Sequence, residues 1–300
     1  MQLSRMDARN IRNGILFCSP WIIGFICFQI YPISYSIYLS ATEYSGFGKA
    51  VFVGLGNYKE LFGDPMLYLS AYNTFYYTAF AVPLGVVVAV CLALAMNQKL
   101  REVTVYRAIL YLPSILPAFA LVFIWILFTN PQYGLMNRLF IWLHLPFIDW
   151  VGDPAWTKPS IVILAQFGAG NAALIFLASL RSIPKELYES ADIDGAGVFR
   201  KFFTITVPMI TPIILYNLIW GLSAGLQAFT QAYLMASGGS GVVGPNNSLL
   251  FYVLLVYKTA FQYSRMGYAA AMSIFLFLVS IVIAVIVFKW GRSWVHYESE

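Results

Sequence analysis

The sequence has 300 residues, 60% of them hydrophobic and 10% charged, with a formal charge of +5 at neutral pH. Soluble domains average about 45–50% apolar and about 25% charged residues, so a water-soluble fold lacks the polar surface to clothe this chain. The Lys and Arg residues form no stripe dense enough for a nucleic-acid backbone, and Cys18, Cys27, Cys91, His144 and His296 form no metal- or redox-type cluster.

Apolar blocks of twenty or more residues are long enough to cross the hydrocarbon core of a bilayer. In chain order they predict six membrane helices: 14–40, 72–96, 106–129, 159–180, 207–235 and 267–290. Prolines 20, 32, 83, 113, 117 and 212 fall within them, which a bundle tolerates because neighbouring groups satisfy the freed carbonyls. The first block follows arginines but runs past the ~7–15 residues of a signal-peptide core and has no clean cleavage site, so it reads as a retained helix.

An even number of spans puts both ends on one side, and charge chooses the side. Arg5, Arg9, Arg12, Lys99, Arg101, Arg107, Arg181, Lys185, Arg200, Lys201, Lys289 and Arg292 lie on the segments that include both termini. The longer opposite segments hold only Lys49, Lys59, Arg138, Lys158, Lys258 and Arg265, so the positive-inside rule predicts cytoplasmic termini. Trp142, Trp150, Trp156, Trp290 and Trp294 read as interfacial anchors.

Three outer loops are long: 42–71, 130–158 and 236–266. The first two contain the turn signals Gly63-Asp64-Pro65 and Gly152-Asp153-Pro154. The third opens with the flexible run at 237–241 and turns apolar over 249–257, as a re-entrant or interfacial stretch would.

The inner segment 181–208 is too regular for a tether. Ser182 and Pro184 predict a helix start, Glu186 sits in the first turn where the dipole favours it, and Gly195 predicts the stop. Helix resumes over 198–204 towards Pro208. Leu187, Tyr188 and Ala191 give the short helix an apolar side that predicts a covering protein partner.

Within this segment Glu189-Ser190-Ala191 is followed after three residues by Gly195 and after nine more by Ile205-Thr206-Val207-Pro208. The pattern resembles the signature loop of ABC importer permeases, E-A-A-x3-G-x9-I-x-L-P, with Ser190 and Val207 as the two departures. The approach Leu177-Ala178-Ser179-Leu180-Arg181-Ser182-Ile183-Pro184 is similar to that of the carbohydrate-uptake branch, the maltose and glycerol-phosphate systems. Gly54-Leu55-Gly56-Asn57-Tyr58 and Asn73-Thr74 resemble it more loosely.

The resemblance implies an all-α, six-span permease, one domain over 1–300 with its core at 72–290, in a bacterial plasma (inner) membrane. It also implies a cytoplasmic coupling helix, with Glu189, Ser190, Ala191, Asp194, Gly195, Ile205 and Pro208 meeting an ATPase. The expected partners are a second permease subunit, two ATPase subunits that bind the ATP and magnesium, an extracellular or periplasmic substrate-binding protein, and membrane lipid. Nucleic acid is not among them. No cofactor, metal or catalytic residue is expected on this chain, which has no phosphate-binding loop, no H-E-x-x-H and no G-x-S-x-G.

For the substrate pathway, Asn217, Ala224, Gln227 and Gln231 fall on one stripe of an uninterrupted fifth helix, with Trp220 nearby and Gln166 and Asn171 on the fourth. Amides bond sugar hydroxyls and an aromatic ring covers apolar C–H faces, which favours a sugar or oligosaccharide. No Asp, Glu, Lys or Arg lies deep in a span, which argues against ion coupling through buried charge. The alternative is a self-contained secondary transporter or channel, for which neither internal repeats nor a selectivity motif is found.

Overall fold

The computed structural model describes residues 5–98, 102–236 and 243–295, with side chains from 13 onwards. Lys99, Arg101, the glycine-rich run 237–241 and His296 lie outside the described residues, as do the side chains of Arg5, Arg9 and Arg12.

In chain order, α1 (Arg5–Phe25) passes through a wide π-turn (Ile26–Ile30) into α2 (Tyr31–Ser40). A two-stranded ribbon follows, β1 (Thr42–Glu43) antiparallel to β2 (Val51–Phe52), and then the short α3 (Gly56–Leu61). The helix α4 (Pro65–Met96) starts at the expected Gly63-Asp64-Pro65 turn. Next come α5 (Val103–Ile115), α6 (Ala118–Phe128), α7 (Leu135–Trp142), and α8 (Pro154–Ala165), which runs through a 3₁₀ turn into α9 (Gly170–Ser182). The inner segment forms α10 (Lys185–Ile193) and α11 (Val198–Lys201), and a π-turn (Phe202–Thr206) leads into α12 (Val207–Leu226). The chain closes with α13 (Thr230–Ala236), α14 (Tyr252–Tyr257) and α15 (Met266–Gly291).

Among the described residues, five helical stretches are long and apolar enough to cross a bilayer, and the pair α5 and α6 makes a sixth if taken as one bent span. The third expected span is thus not one straight helix: α5 and α6 meet at 96°. Leu116 (ψ 138°) and Pro117 (ψ 142°) are both extended at the corner. Proline disfavours helical backbone in the residue before it, and its own ring cannot continue the helix. At about 1.5 Å per residue α5 extends only ~20 Å, short of the ~30 Å hydrocarbon core.

The chain gathers into two compact units. The smaller one comprises the described residues up to Asp64 together with Val256–Phe277. Its ribbon is stapled by buried Asn57, whose Nδ2 donates to the carbonyls of Ser40 (2.9 Å) and Thr42 (2.8 Å), while the Tyr58 hydroxyl donates to Ser40 Oγ (2.8 Å). A Cβ on Gly267 would lie 2.0 Å from the Thr42 carbonyl oxygen, so only glycine permits this approach. Arg265 forks onto Glu60 at 2.7 and 2.6 Å and lies over the Tyr268 ring, whose hydroxyl donates to Asp64 at 2.9 Å.

The Arg265 hydrogen bonds hold the Glu60 carboxyl below the usual carboxylate range. A depressed folded pKa contributes stability above the unfolded value, and that contribution fades as pH falls through the folded one. Both side chains are half exposed, so the contribution is small. Thermal unfolding should accordingly find Glu60→Gln slightly less stable than wild type at pH 7, with the gap closing below about pH 4. A gap that failed to narrow as the pH fell would trace to packing and not to the ion pair.

The larger unit comprises Pro65–Leu255 and the chain from Leu278 onwards. Its core lies where α4, α9 and α12 meet, around Ala89, Ala93, Met96, Ala173, Phe176 and Ile210. Ala81, Gly85, Ala89 and Ala93 recur every fourth residue along α4, a small-residue ladder of the kind that lets membrane helices approach without a hydrophobic driving force. Gly221 and Gly225 play the same part on α12: added Cβ atoms would sit 2.8 Å from Val82 and 2.9 Å from Thr78. Arg107 Nε caps the end of α4 by donating to the Met96 carbonyl at 2.8 Å.

The apolar stretch 249–257 packs into protein. Leu249 and Phe251 are fully buried, and the Phe251 ring lies 5.2 Å from that of Tyr77. Asn73 Nδ2 donates to the carbonyls of Asn247 (2.9 Å) and Leu250 (3.1 Å), and the Tyr252 N–H donates to Thr74 Oγ1 (2.8 Å). Trp150 also departs from expectation: it is 3% exposed, sandwiched between Phe140 and Trp156, and so is a core residue of its loop and not an interfacial anchor.

Candidate functional site

The segment 181–208 folds as its sequence directs, except that Ser182 ends α9, its hydroxyl donating to the Ser179 carbonyl, and does not start α10. Pro184 precedes the first turn of α10, where a missing N–H costs nothing, and Glu186 occupies that turn. At the other end Gly195 takes φ +72°, its N–H donates to the Asp192 carbonyl (3.1 Å), and the Ala196 N–H donates to that of Ala191 (2.9 Å). This is a Schellman cap, and its left-handed residue is the position glycine fills without strain. Gly197 then turns the chain into α11, which continues through the π-turn into α12.

The signature positions divide between two directions. Ala191, Ile205 and Pro208 are half buried, whereas Glu189, Ser190, Asp194 and Gly195 are exposed. The expected apolar docking face of Leu187, Tyr188 and Ala191 is corrected in part. Tyr188 packs against the core around Ile183 and Ile210, and its hydroxyl lies 2.8 Å from Thr206 Oγ1. Leu187 stays exposed, and the apolar residues facing outwards with it are Ile193, Val198 (78%), Phe199 (82%) and Phe203. Helical spacing from α10 alone could not place the last three, because they come from the next element.

A cavity of about 440 Å³ opens between α4, α8, α9, α12 and α13. Five of the six expected pathway residues line it: Gln166, Asn171, Asn217, Trp220 and Gln231. Gln227 does not. It caps α12 with φ −101° and ψ 13°, the helix stops there, and residues 227–229 break the stripe that placed it beside Asn217. Gln231 returns to the cavity from α13, beyond the break.

No charged side chain lines the cavity. Gln166 Nε2 donates to the Val162 carbonyl (2.6 Å), while its Oε1 is buried without a partner, 3.4 Å from where a Cβ on Gly85 would stand. An unpaired buried acceptor costs about 1–3 kcal/mol, which a donating ligand would offset. Asn171 Oδ1 accepts from the Tyr111 hydroxyl (3.0 Å), and Asn217 Nδ2 donates to the Ile213 carbonyl (2.9 Å), so each keeps the other half of its amide free for a ligand. Trp220 is 70% exposed and offers an aromatic face, joined by Tyr77 and Tyr216, neither of which the amphipathic stripe identified. Among the described residues no group of His, Cys, Asp or Glu is placed to hold a metal ion.

Residues 81–293 match the family model described as "Binding-protein-dependent transport system inner membrane component". The chain is 36% identical to the probable ABC transporter permease protein YesP of Bacillus subtilis (strain 168), over all of this chain and 97% of that one. It is 31% identical to the arabinooligosaccharides transport system permease protein AraP of the same organism, over 93% of this chain and 88% of that one. The fold superimposes on a chain of a bacterial ABC transporter involved in the import of the acidic polysaccharide alginate, with a TM-score of 0.82, 24% identity, and 97% and 99% coverage.

Proposed function

The chain belongs to the family of binding-protein-dependent transport system inner membrane components, and from that premise we propose that it moves an uncharged sugar or oligosaccharide through a pathway completed by a second permease subunit. In this reading the whole chain acts as one permease domain with cytoplasmic termini. Two ATPase subunits, which carry the ATP and magnesium, grip the exposed surface of α10 and α11 through Glu189, Ser190, Asp194 and Gly195. Ala191, Ile205 and Pro208 seat the same element on the bundle. A binding protein delivers the sugar from the other side, so this chain performs transport and no chemistry.

The observation that carries the cargo is the charge-free cavity, lined by the amides of Gln166, Asn171, Asn217 and Gln231 and by the ring of Trp220, with Gln166 Oε1 buried without a partner. Amides exchange hydrogen bonds with hydroxyls of either polarity, and the indole covers the apolar face of a pyranose. The arabinooligosaccharide relative supports the same class of cargo. The test is ATP hydrolysis by the reconstituted complex, scanned with neutral saccharides, uronates and amino acids supplied through the binding protein. Stimulation by neutral saccharides alone is expected, and stimulation by a charged solute instead would contradict the assignment.

Gln166→Leu removes the unpaired acceptor at nearly constant volume. Uptake at saturating sugar-loaded binding protein should fall about three- to tenfold, the size of one neutral hydrogen bond, with assembly of the complex unchanged. Unaltered uptake would remove Gln166 from the pathway.

A further inference from the structure

The contact between Tyr188 and Thr206 stands apart from both the cavity and the exposed docking surface. Tyr188 sits at the middle of α10 with its ring against the core and its hydroxyl 2.8 Å from Thr206 Oγ1. Thr206 is buried, 6% exposed, and closes the π-turn Phe202–Thr206. That turn is the irregular point in an otherwise continuous helix from Val198 to Leu226, and α12 beyond it carries Asn217 and Trp220 into the cavity. Wide turns of this kind interrupt the regular ladder of helix hydrogen bonds and concentrate at functional positions.

A push on α10 therefore has two routes. It can flex the π-turn and be absorbed there, or it can pass through a side-chain link that bypasses the turn and move α12 directly. We propose that the Tyr188–Thr206 hydroxyl pair is that link, a positioning contact that transmits movement of the coupling helix to the cavity-lining helix. This rests on the proposed ATP-driven transport. The Lys201–Asp192 pair joins α10 to α11, ahead of the π-turn, so it does not bypass the turn, and with Asp192 largely exposed it contributes little beside a half-buried contact.

The readout is sugar carried per ATP hydrolysed, measured in proteoliposomes with wild type, Tyr188→Phe, Thr206→Val, the double variant and Thr206→Ser. Tyr188→Phe keeps the ring in the core and Thr206→Val keeps the shape, so each removes a hydroxyl and little else. Each hydroxyl deletion should lower the ratio about three- to tenfold, in line with the loss of one hydrogen bond. The double variant should be no worse than either single one, as for two ends of one contact, and Thr206→Ser should match wild type. If Tyr188→Phe does not assemble, Thr206→Val carries the same comparison.

A purely structural contact would change the yield of complex and leave the ratio alone, so an unchanged ratio in the hydroxyl-deleted variants overturns the inference. Wild type that hydrolyses ATP without carrying sugar would instead overturn the transport reading on which the inference rests.

Discussion

Glu189→Arg and Gly195→Pro are each expected to reduce sugar-stimulated ATP hydrolysis at least tenfold in the reconstituted complex, by different physical routes. Glu189 is exposed on α10 and the fold does not need it, so charge reversal should leave the permease folded and act only on its partner. Gly195 has φ +72° and donates its N–H to Asp192, whereas proline fixes φ near −65° and has no N–H to give. The Schellman cap would open and the connection from α10 to α11 would change course. Thermal unfolding of the isolated permease separates the two effects: Glu189→Arg should unfold with wild type, and Gly195→Pro should lose stability only locally, since a Cβ added there would meet nothing within 4 Å. Full stimulation in both variants would reduce 181–208 to a structural connection.

The second large effect is one of stability. Asn73→Leu preserves volume but leaves the carbonyls of Asn247 and Leu250 without the donor they share. The Asn247 carbonyl keeps the Leu250 N–H (3.0 Å), so the loss falls on the buried Leu250 carbonyl and should cost about 1–3 kcal/mol. The loss should appear as a lower midpoint of thermal unfolding and as faster proteolysis after residue 243, where the inserted stretch 249–255 would no longer be pinned. Cleavage rates equal to wild type would mean that Phe251 and its apolar neighbours hold the stretch unaided.

How far the sequence foretells these features depends on their range. Apolar length locates α15 and the C-terminal ends of α4 and α9 within two residues, because crossing a bilayer is a local demand on composition, whereas α4 and α8 begin earlier than expected, at Pro65 and Pro154, where the apolar runs have given way to loop-like sequence. Pro184, Glu186 and Gly195 bound α10 correctly because capping is equally local. The bend at Leu116–Pro117 has its cause in the sequence, yet prolines at 20, 83 and 212 sit inside helices that continue, and only surrounding packing separates the two outcomes. The break at 227–229 lacks even a proline, which is why periodicity carried Gln227 into a cavity it does not line.

Tertiary partners are the other blind spot. Asn57 and Asn73-Thr74 stand out in the sequence only as strings similar to a family, and their work as backbone staples emerges once carbonyls from distant segments arrive beside them. The four-residue ladder from Ala81 to Ala93 is masked in the sequence by uniform hydrophobicity, which gives no amphipathic contrast. Tyr188 illustrates the same limit in reverse: it looks like part of an exposed apolar face until Thr206 is brought to it by the turn eighteen residues later.

The central claim, that this chain is driven through its coupling helix by a separate ATPase, is tested most directly by uptake of a neutral oligosaccharide into proteoliposomes. The vesicles would hold the permease pair and its ATPases with ATP inside and loaded binding protein outside. Uptake should require both ATP and the binding protein and should ignore proton or sodium gradients. Uptake by the permease alone, driven by an ion gradient without ATP, would contradict the account and identify a self-contained carrier.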